Sequence, residues 1–391
     1  MVFRSLLLFL LINCMGKIKA SDTTIVSALL KRVIELQPKE NGVFPKGLFP
    51  SYRTYAFNKE RQKADINIFY SGLIVFTLEK IKSNLSPYQQ SLVEQIVINA
   101  KPTANKFKNK GGRDTYNFWP TDTPMIFPNA GWLNLFDKPQ ALPDDLDDTV
   151  ILLLALNVDQ ATAEKVHQLM QQYINKEDKR INNTFDMYKH IPAYSVWFGE
   201  KMPVDFDISV LSNVLYFVQA NNLKWTNADS ASLQLIVSVL KDKKHLTDAN
   251  YISPHYGKTE IILYHLSRLM SLKPIPSLEK FRQDLIAQAK QLQQTKQDFL
   301  EQVILSSALL NWGEMPVSIQ INENKSLREL IEAEEFSFFI ANMASMLPNQ
   351  MKKMLGSISV GKFTYYCPAY NNVLLIENMV LHSNYAKKIY Q

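Results

Sequence analysis

Cysteine, glycine and flexible linkers are scarce in this sequence. Its 391 residues include two cysteines, Cys14 and Cys367, and 12 glycines. So few cysteines exclude a disulfide-rich scaffold and a zinc site built from cysteines. No Gly/Ser tract, charge block or low-complexity segment divides the chain. Because 46% of the residues are hydrophobic, the chain can bury a large core, and we predict a single domain.

The start of the chain has the pattern of a secretory signal. Arg4 supplies the positive charge, Leu6–Leu11 form an apolar stretch, and a short cleavage region ends in the small residue Ala20. The apolar run is about half the length that a bilayer requires, so we predict no membrane span. We predict a signal peptide over residues 1–20 and a mature domain over 21–391. The mature chain is expected to be secreted or periplasmic, without stable membrane insertion.

The mature part of the sequence is only mildly basic. Loss of the signal removes three basic residues, Arg4, Lys17 and Lys19. The formal charge then falls from +6 to +3, which is too small to indicate nucleic-acid binding. Cys367 becomes the single cysteine, so no intramolecular disulfide is available. Cys14 leaves a lipid anchor as an alternative, but Asn13 stands where lipoprotein signals carry Gly or Ala.

Two kinds of helical segment alternate along the chain. One kind is apolar on nearly every side, as buried helices are: Ile66–Leu78, Thr149–Leu156, Ile208–Val218, Ile261–Met270, Val303–Leu310 and Phe336–Leu347. The other kind has apolar residues three and four apart, as half-buried helices do: Tyr88–Ala100, Ala161–Ile174, Ser230–Leu240 and Leu278–Leu292. An inner ring of buried helices wrapped by an outer ring is the plan of an (α/α) toroid. We predict an all-α fold, a single (α/α) toroid of about six inner and outer helix pairs.

Aromatic residues stand beside Pro or Gly in the connections between these segments. The instances are Phe44-Pro45, Phe49-Pro50, Phe118-Trp119-Pro120, Phe127-Pro128, Trp197-Phe198-Gly199, His255-Tyr256-Gly257 and Trp312-Gly313. In a toroid such loops can gather at one end and line an aromatic funnel. The alternative is that Pro and Gly form turns while the rings cover helix ends.

Four aspartates precede the apolar helix Thr149–Leu156. Helical spacing predicts Asp144, Asp147 and Asp148 on one side of that helix, with Asp145 next to Asp148. Four carboxylates so close require a cation or a raised pKa for at least one of them. Helix capping and the helix dipole explain one or two acids in a first turn, but not four. We therefore predict that this acidic cluster is the functional centre.

The stretch Asp145-Leu146-Asp147-Asp148-Thr149 resembles the Asp-x-Asp-Asp-Thr motif of class II terpenoid cyclases. These enzymes, of the squalene-hopene and diterpene cyclase type, belong with the protein prenyltransferases to a superfamily of (α/α) toroids. The resemblance implies that Asp147 donates the proton that opens an alkene or epoxide, supported by Asp145 and Asp148. It also implies that aromatic rings around the cavity stabilise carbocations through their negative faces.

Other functions fit the same residues. Asp144, Asp145 and Asp148 match the Asp-Asp-x-x-Asp pattern with which class I prenyl synthases bind magnesium and diphosphate. A polysaccharide hydrolase of toroid fold would pair Asp145 or Asp147 with Asp205 or Asp207, at a separation of roughly 5 to 9.5 Å. A lyase would use a set such as His255, Tyr256 and Lys258. A toroid that binds a ligand without catalysis is the remaining alternative, so the sequence leaves open whether the protein is an enzyme.

The site is predicted to combine catalytic acids with aromatic and polar binding residues. The catalytic candidates are Asp145, Asp147 and Asp148. The substrate-binding candidates are Asp144, Trp119, Tyr116, Trp197, Asp205, Asp207, His255, Tyr256 and Trp312. We predict no organic cofactor and no dedicated metal site, and leave open a divalent metal at the acidic cluster. The expected ligand is a small hydrophobic molecule or a carbohydrate, bound by a monomer.

Overall fold

The structure of the protein is a computed structural model that describes residues 19–59, 61–122, 143–199, 202–295, 298–321, 324–357 and 359–389. These residues form a mainly helical fold with one small antiparallel sheet. The predicted signal segment up to residue 18, which includes Cys14, lies outside the described residues, and so does the predicted loop Phe127-Pro128. The sequence therefore indicated the helical class correctly and missed the sheet.

The described residues contain sixteen α-helices. In chain order they are α1 (Lys19–Leu36), α2 (Phe69–Ile81), α3 (Pro87–Ala100), α4 (Leu146–Leu156), α5 (Gln160–Met170), α6 (Ile208–Ala220), α7 (Asn227–Lys241), α8 (Lys244–Thr247), α9 (Ala249–Ile252), α10 (Thr259–Leu272), α11 (Pro276–Glu279), α12 (Arg282–Thr295), α13 (Phe299–Asn311), α14 (Leu327–Ile331), α15 (Asn349–Ser357) and α16 (Pro368–Ile389). Short 3-10 turns lie at Lys82–Asn84, Lys101–Lys106, Asp186–Tyr188 and Met343–Met346. Over the described ranges no helix combines the length and the apolar character needed to cross a bilayer.

Six buried helices contact one another in a closed cycle. In order these helices are α2, α4, α6, α10, α13 and α16, and α16 contacts α2 again. Five of them correspond to apolar segments predicted from the sequence. The sixth prediction is wrong, because Phe336–Leu347 holds a short strand and a 3-10 turn, and the sixth helix of the cycle is α16. An apolar run without clear periodicity fits a strand and a buried helix equally well.

Amphipathic helices cover this cycle from outside. Helix α3 contacts α1 and α2, α7 contacts α6, and α12 contacts α10 and α13. Capping boxes at Ser86 and Thr226 define the starts of α3 and α7. His167 of α5 contacts Asp229 of α7 through its Nε2 atom, 3.0 Å from Oδ2, and both side chains are buried. The predicted half-buried segments thus form an outer layer that is joined by specific polar contacts as well as by apolar packing.

The sheet joins two distant parts of the chain. Its strands are β1 (Ser51–Tyr55), β2 (Lys63–Asp65), β3 (Ile340–Asn342) and β4 (Lys362–Tyr366), in the antiparallel order β2-β1-β4-β3. Tyr52 pairs with Tyr366 and Tyr55 with Phe363. The amide of Ile340 donates to the carbonyl of His255 at 2.8 Å. This hydrogen bond holds the start of β3 against the loop that precedes α10.

Gly47 lies in a close contact between two backbone segments, and its replacement is a test of the fold. Its φ is +84°, and a Cβ atom there would lie 2.1 Å from the backbone oxygen of Asn99. We expect Gly47→Ala to lower the free energy of unfolding by roughly 3 kcal/mol, because backbone strain adds to the clash. Gly112 has the same φ with nothing within 4 Å, so Gly112→Ala should cost only about 1 kcal/mol. Urea denaturation measures both; equal losses would show that the chain at Asn99 moves aside freely.

Candidate functional site

A cleft lies at one end of the helix cycle. Phe69 is the first residue of α2, Asp147 and Asp148 lie in the first turn of α4, and Val210 lies in that of α6. The described residues that line it are Phe69, Asn117, Phe118, Trp119, Pro143, Asp145, Asp147, Asp148, Val196, Trp197, Val210, His255, Phe339, Ala341 and Met343. Counted out to open solvent, the space between these residues is about 610 Å³.

Asp147 is the acid of the cleft whose carboxyl group is bonded to a side chain of another helix and to one of a loop. Its Oδ1 accepts a hydrogen bond from Asn213 Nδ2 at 2.7 Å, and its Oδ2 accepts one from the hydroxyl of Tyr256. Burial raises the pKa of Asp147 to about 7, although the bonds from Tyr256 and Asn213 favour the charged form. Near neutral pH this carboxyl can therefore either hold a proton or release one.

Asp145 and Asp148 form a buried acid pair beside Asp147. Asp145 is the N-cap of α4, and its Oδ1 accepts a bond from the Asp148 amide at 2.7 Å. Burial raises the pKa of Asp148 well above its usual range, and the neighbouring Asp145 raises it further. Burial also raises the pKa of Asp145, while its hydrogen bond with the Asp148 side chain lowers it. Asp148 is therefore the member of the pair that binds a proton more readily.

His255 faces three carboxylates from the loop before α10. Its amide donates to Asp207 Oδ2 at 2.8 Å, and its Nε2 lies 3.7 Å from Asp205 Oδ2, within ion-pair range but beyond a hydrogen bond. Burial by itself lowers the pKa of His255, but Asp205, Asp207 and Asp145 outweigh it, so the pKa is raised. Burial opposes the charge on Asp205, yet Lys352 and His255 lower its pKa below the usual value. The surrounding carboxylates therefore favour the charged form of His255.

Aromatic rings form the walls of the cleft. Phe118 stacks on Phe339 with centroids 5.4 Å apart, and Phe69 contacts Phe339 at 4.6 Å. His255 stacks on the same ring at 6.2 Å, while Trp197 meets His255 edge-on at 6.2 Å. The negative faces of such rings can stabilise positive charge that develops in a ligand.

Comparison of the chain with protein-family models, with curated proteins and with solved structures gave no match. The side chains of the cleft are therefore the basis for assigning a function. Six of the predicted site residues line it, namely Asp145, Asp147, Asp148, Trp119, Trp197 and His255. Three more act on those residues from behind, since Tyr256 bonds Asp147, and Asp205 and Asp207 contact His255.

The other three predicted substrate-binding residues, Asp144, Tyr116 and Trp312, also lie outside the cleft lining. Asp144 Oδ2 accepts bonds from Thr115 Oγ1 at 2.5 Å and Asn109 Nδ2 at 2.6 Å. Tyr116 contacts the acidic cluster through its backbone: its carbonyl oxygen accepts a hydrogen bond from the Asp145 amide at 3.2 Å. Trp312 caps the C-terminal end of α13. Asp144, Asp145 and Asp148 therefore do not converge as a metal-binding set, and within the described ranges no group of His, Cys, Asp or Glu is arranged to hold a metal ion.

Two buried residues behind the cleft were not among the predicted site residues. Asn213 of α6 holds Asp147, and Arg268 of α10 donates through Nη2 to Asn213 Oδ1. Both stand inside otherwise apolar helical segments, and Arg268 is 2% exposed. A single amide or charge in a helix that is buried on every side was the available signal, because such a group requires a specific partner. Phe339, Ala341 and Met343 were missed because their segment had been predicted as a helix.

Proposed function

We propose that the protein is an exported enzyme with an (α/α) toroid fold, in which Asp147 donates a proton to an apolar, unsaturated substrate. The closed cycle of six buried helices and the outer amphipathic layer support the toroid. The Asp-x-Asp-Asp-Thr motif supports chemistry of the class II terpenoid cyclase type. Residues Asp145, Asp147 and Asp148 are its acid centre.

One observation carries the proposal: Asp147 is buried in a mainly apolar, aromatic-lined cleft, with a pKa raised to about 7. Capping of helix ends does not explain this residue, because both of its carboxyl oxygens accept bonds from side chains. A polysaccharide site would instead need an open cleft with many polar groups and a second, opposed carboxylate. The lining favours an isoprenoid-like hydrocarbon chain over a sugar.

The arrangement can carry out proton transfer as follows. The O–H bond of protonated Asp147 breaks while the π electrons of a substrate alkene form a new C–H bond; with an epoxide, the oxygen takes the proton and one C–O bond breaks, leaving a hydroxyl group and a cation at carbon. The hydrogen bonds from Asn213 and Tyr256 stabilise the carboxylate that remains. The cation left on the substrate lies among aromatic faces such as those of Phe118, Phe339 and Trp197. Loss of a proton from that cation ends the reaction, and Asp147 is reprotonated from solvent.

A substrate screen tests the reaction class. The purified mature chain is incubated with linear isoprenoids and their epoxides, and in parallel with neutral and acidic glycans, and products are identified by mass spectrometry. Isomerised or cyclised isoprenoid is the expected product. Cleaved glycan with unchanged isoprenoid would overturn the proposal.

The rate should depend on the protonated form of Asp147. Because a general acid acts only while it holds its proton, turnover is expected to be high at pH 5 to 6 and to fall about tenfold for each pH unit well above 7. A pH profile of kcat/KM on the isoprenoid found in the screen measures this. A rate that rises between pH 6 and 8 would indicate a general base instead.

A further inference from the structure

Three polar atoms in the cleft have no hydrogen-bond partner among the described residues. They are Asp148 Oδ1, Trp197 Nε1 and His255 Nε2. Asp148 is 2% exposed, Trp197 8% and His255 7%, and all three line the cleft. Buried polar atoms in folded proteins are almost always hydrogen-bonded. Three such atoms around one cleft therefore indicate a ligand that supplies their partners.

We propose that these three atoms bind a hydroxyl group on the otherwise apolar substrate, which makes the substrate an isoprenoid-like alcohol. A hydroxyl offers two lone pairs and one proton. The N–H groups of Trp197 and His255 can donate to the lone pairs, and Asp148 Oδ1 can accept the proton. The two donors and one acceptor of the cleft therefore match the two lone pairs and one proton of a hydroxyl group. This assignment rests on the proposed function and adds the substrate class to it.

The charges around the cleft favour a neutral head group over an anionic one. Three of the lining residues are carboxylic acids, and His255 is the sole basic side chain among the described lining residues. The charge of His255 is already opposed by Asp205, at 3.7 Å. A phosphate or carboxylate would therefore meet nearby negative charge without a matching Arg or Lys.

The hydroxyl site and the proton donor use different residues. Both oxygens of Asp147 are bonded to Asn213 and Tyr256, so Asp147 is not needed to hold the head group. Trp197 and His255 in turn make no hydrogen bond to Asp147. Binding of an alcohol and transfer of a proton can therefore be tested separately.

Equilibrium binding to three related ligands tests the assignment. The probes are farnesol, the hydrocarbon farnesene, which lacks the hydroxyl, and farnesyl diphosphate, each titrated into the mature chain by calorimetry. A site built to bond a hydroxyl discriminates strongly against an analogue that lacks it. We expect farnesol to bind about a hundredfold more tightly than farnesene, and more tightly than the diphosphate.

Two tryptophan variants separate the hydrogen bond from packing. Trp197→Phe should weaken farnesol binding about tenfold and leave farnesene binding unchanged, because only the indole N–H is lost. Trp312→Phe is the matched control, since Trp312 is also buried with an unpartnered Nε1 but lies outside the cleft. It should leave both affinities as they are. His255→Phe, which keeps the ring stacked on Phe339, is a second test should Trp197→Phe fold poorly.

Equal binding of farnesol and farnesene by the wild type, tighter binding of the diphosphate, or no binding of any probe would overturn the hydroxyl site. A loss of farnesene affinity in Trp197→Phe equal to that for farnesol would also overturn it, because the ring would then act by packing. Asp147→Asn should keep farnesol affinity within about threefold. Selective farnesol binding without acid-dependent turnover would contradict the proposed function while supporting this site.

Discussion

Replacing Asp147 by Asn is expected to slow turnover about 10² to 10⁴-fold, the usual contribution of a general acid. The amide has nearly the shape of the carboxyl group but has no acidic proton to transfer. Its oxygen can still accept the bond from Asn213, and the hydroxyl of Tyr256 can turn to accept from the new amide. The loss should therefore appear in kcat rather than in KM. Steady-state kinetics on the isoprenoid identified by the screen measure both.

Asp144→Asn is the matched control for this variant. Asp144 is also a buried aspartate, 3% exposed, and it precedes the same helix. Its carboxylate bonds Thr115 and Asn109 and lies outside the cleft lining. We expect its kcat to stay within about threefold of the wild type. A similar fall in both variants would indicate a general effect on the fold, and full activity of Asp147→Asn would exclude Asp147 as the acid.

The acidic cluster shows what local sequence can and cannot establish about the site. The three aspartates of the motif, Asp145, Asp147 and Asp148, line one cleft. The expectation that Asp144 shares a helix face with Asp147 is wrong, because Asp145 is the N-cap and the helix begins at Leu146. Asp144 therefore has extended-chain neighbours instead of helical ones. A shift of two residues at a helix start changes which side chains face together, and sequence patterns rarely locate helix ends that closely.

The sixth helix of the cycle illustrates a second limit. Buried polar residues interrupt the apolar pattern of α16, among them Asn371, Asn372, Glu377 and Asn378. They are buried because distant partners satisfy them: Asn378, for example, donates to Ser306 at 2.8 Å and to Ser307 at 3.0 Å. No local pattern contains those partners, so hydrophobic periodicity alone could not identify this helix. The apolar run of α4 after Thr149 carries no such interruption and was located well.

The sheet was missed for a related reason. Its strands are three to five residues long, too short for alternation to stand out from turns and loops. Strands β1 and β4 pair across most of the chain, Tyr52 with Tyr366. Such pairing depends on the completed helix cycle bringing the two segments together. Because the sheet was not predicted, Phe339, which directly precedes β3, was not predicted as a site residue.

The second large effect is expected from Arg268, which lies in the middle of the cycle behind the acid. Its guanidinium is 5.1 Å from the ring centre of Phe76 and 5.4 Å from that of Tyr264. Burial by itself lowers its pKa, but Tyr264, Tyr370 and Glu377 outweigh this, so its pKa is raised and the side chain is a buried cation. Glu377 accepts bonds from Tyr264 at 2.6 Å and from Lys80 at 3.2 Å. The centre of the cycle is thus a polar network in which Arg268 and Glu377 are both buried.

We expect Arg268→Met to lower the free energy of unfolding by roughly 3 to 5 kcal/mol, because Lys80 is then the one opposing charge bonded to the buried Glu377 and Asn213 Oδ1 loses its donor. Methionine fills much of the same volume, so a cavity contributes little to the loss. Arg282→Met is the control: Arg282 is 26% exposed and pairs with Glu279 on the surface, where such pairs contribute at most about 1 kcal/mol. Urea denaturation followed by circular dichroism gives both values.

A double variant separates charge from packing at this position. If the loss in Arg268→Met comes from the charge on Glu377, adding Glu377→Gln should recover part of it, because Lys80, whose side chain is 20% exposed, can keep its charge in contact with water. Arg268→Lys should not recover it, since an ammonium group cannot both lie among the rings and reach Asn213 as the guanidinium does. If Arg268→Met is as stable as the wild type, Lys80 and the hydrogen bond from Tyr264 are sufficient to hold Glu377. Asn213 would then have to position Asp147 without the guanidinium, and the activity of Arg268→Met would equal that of the wild type.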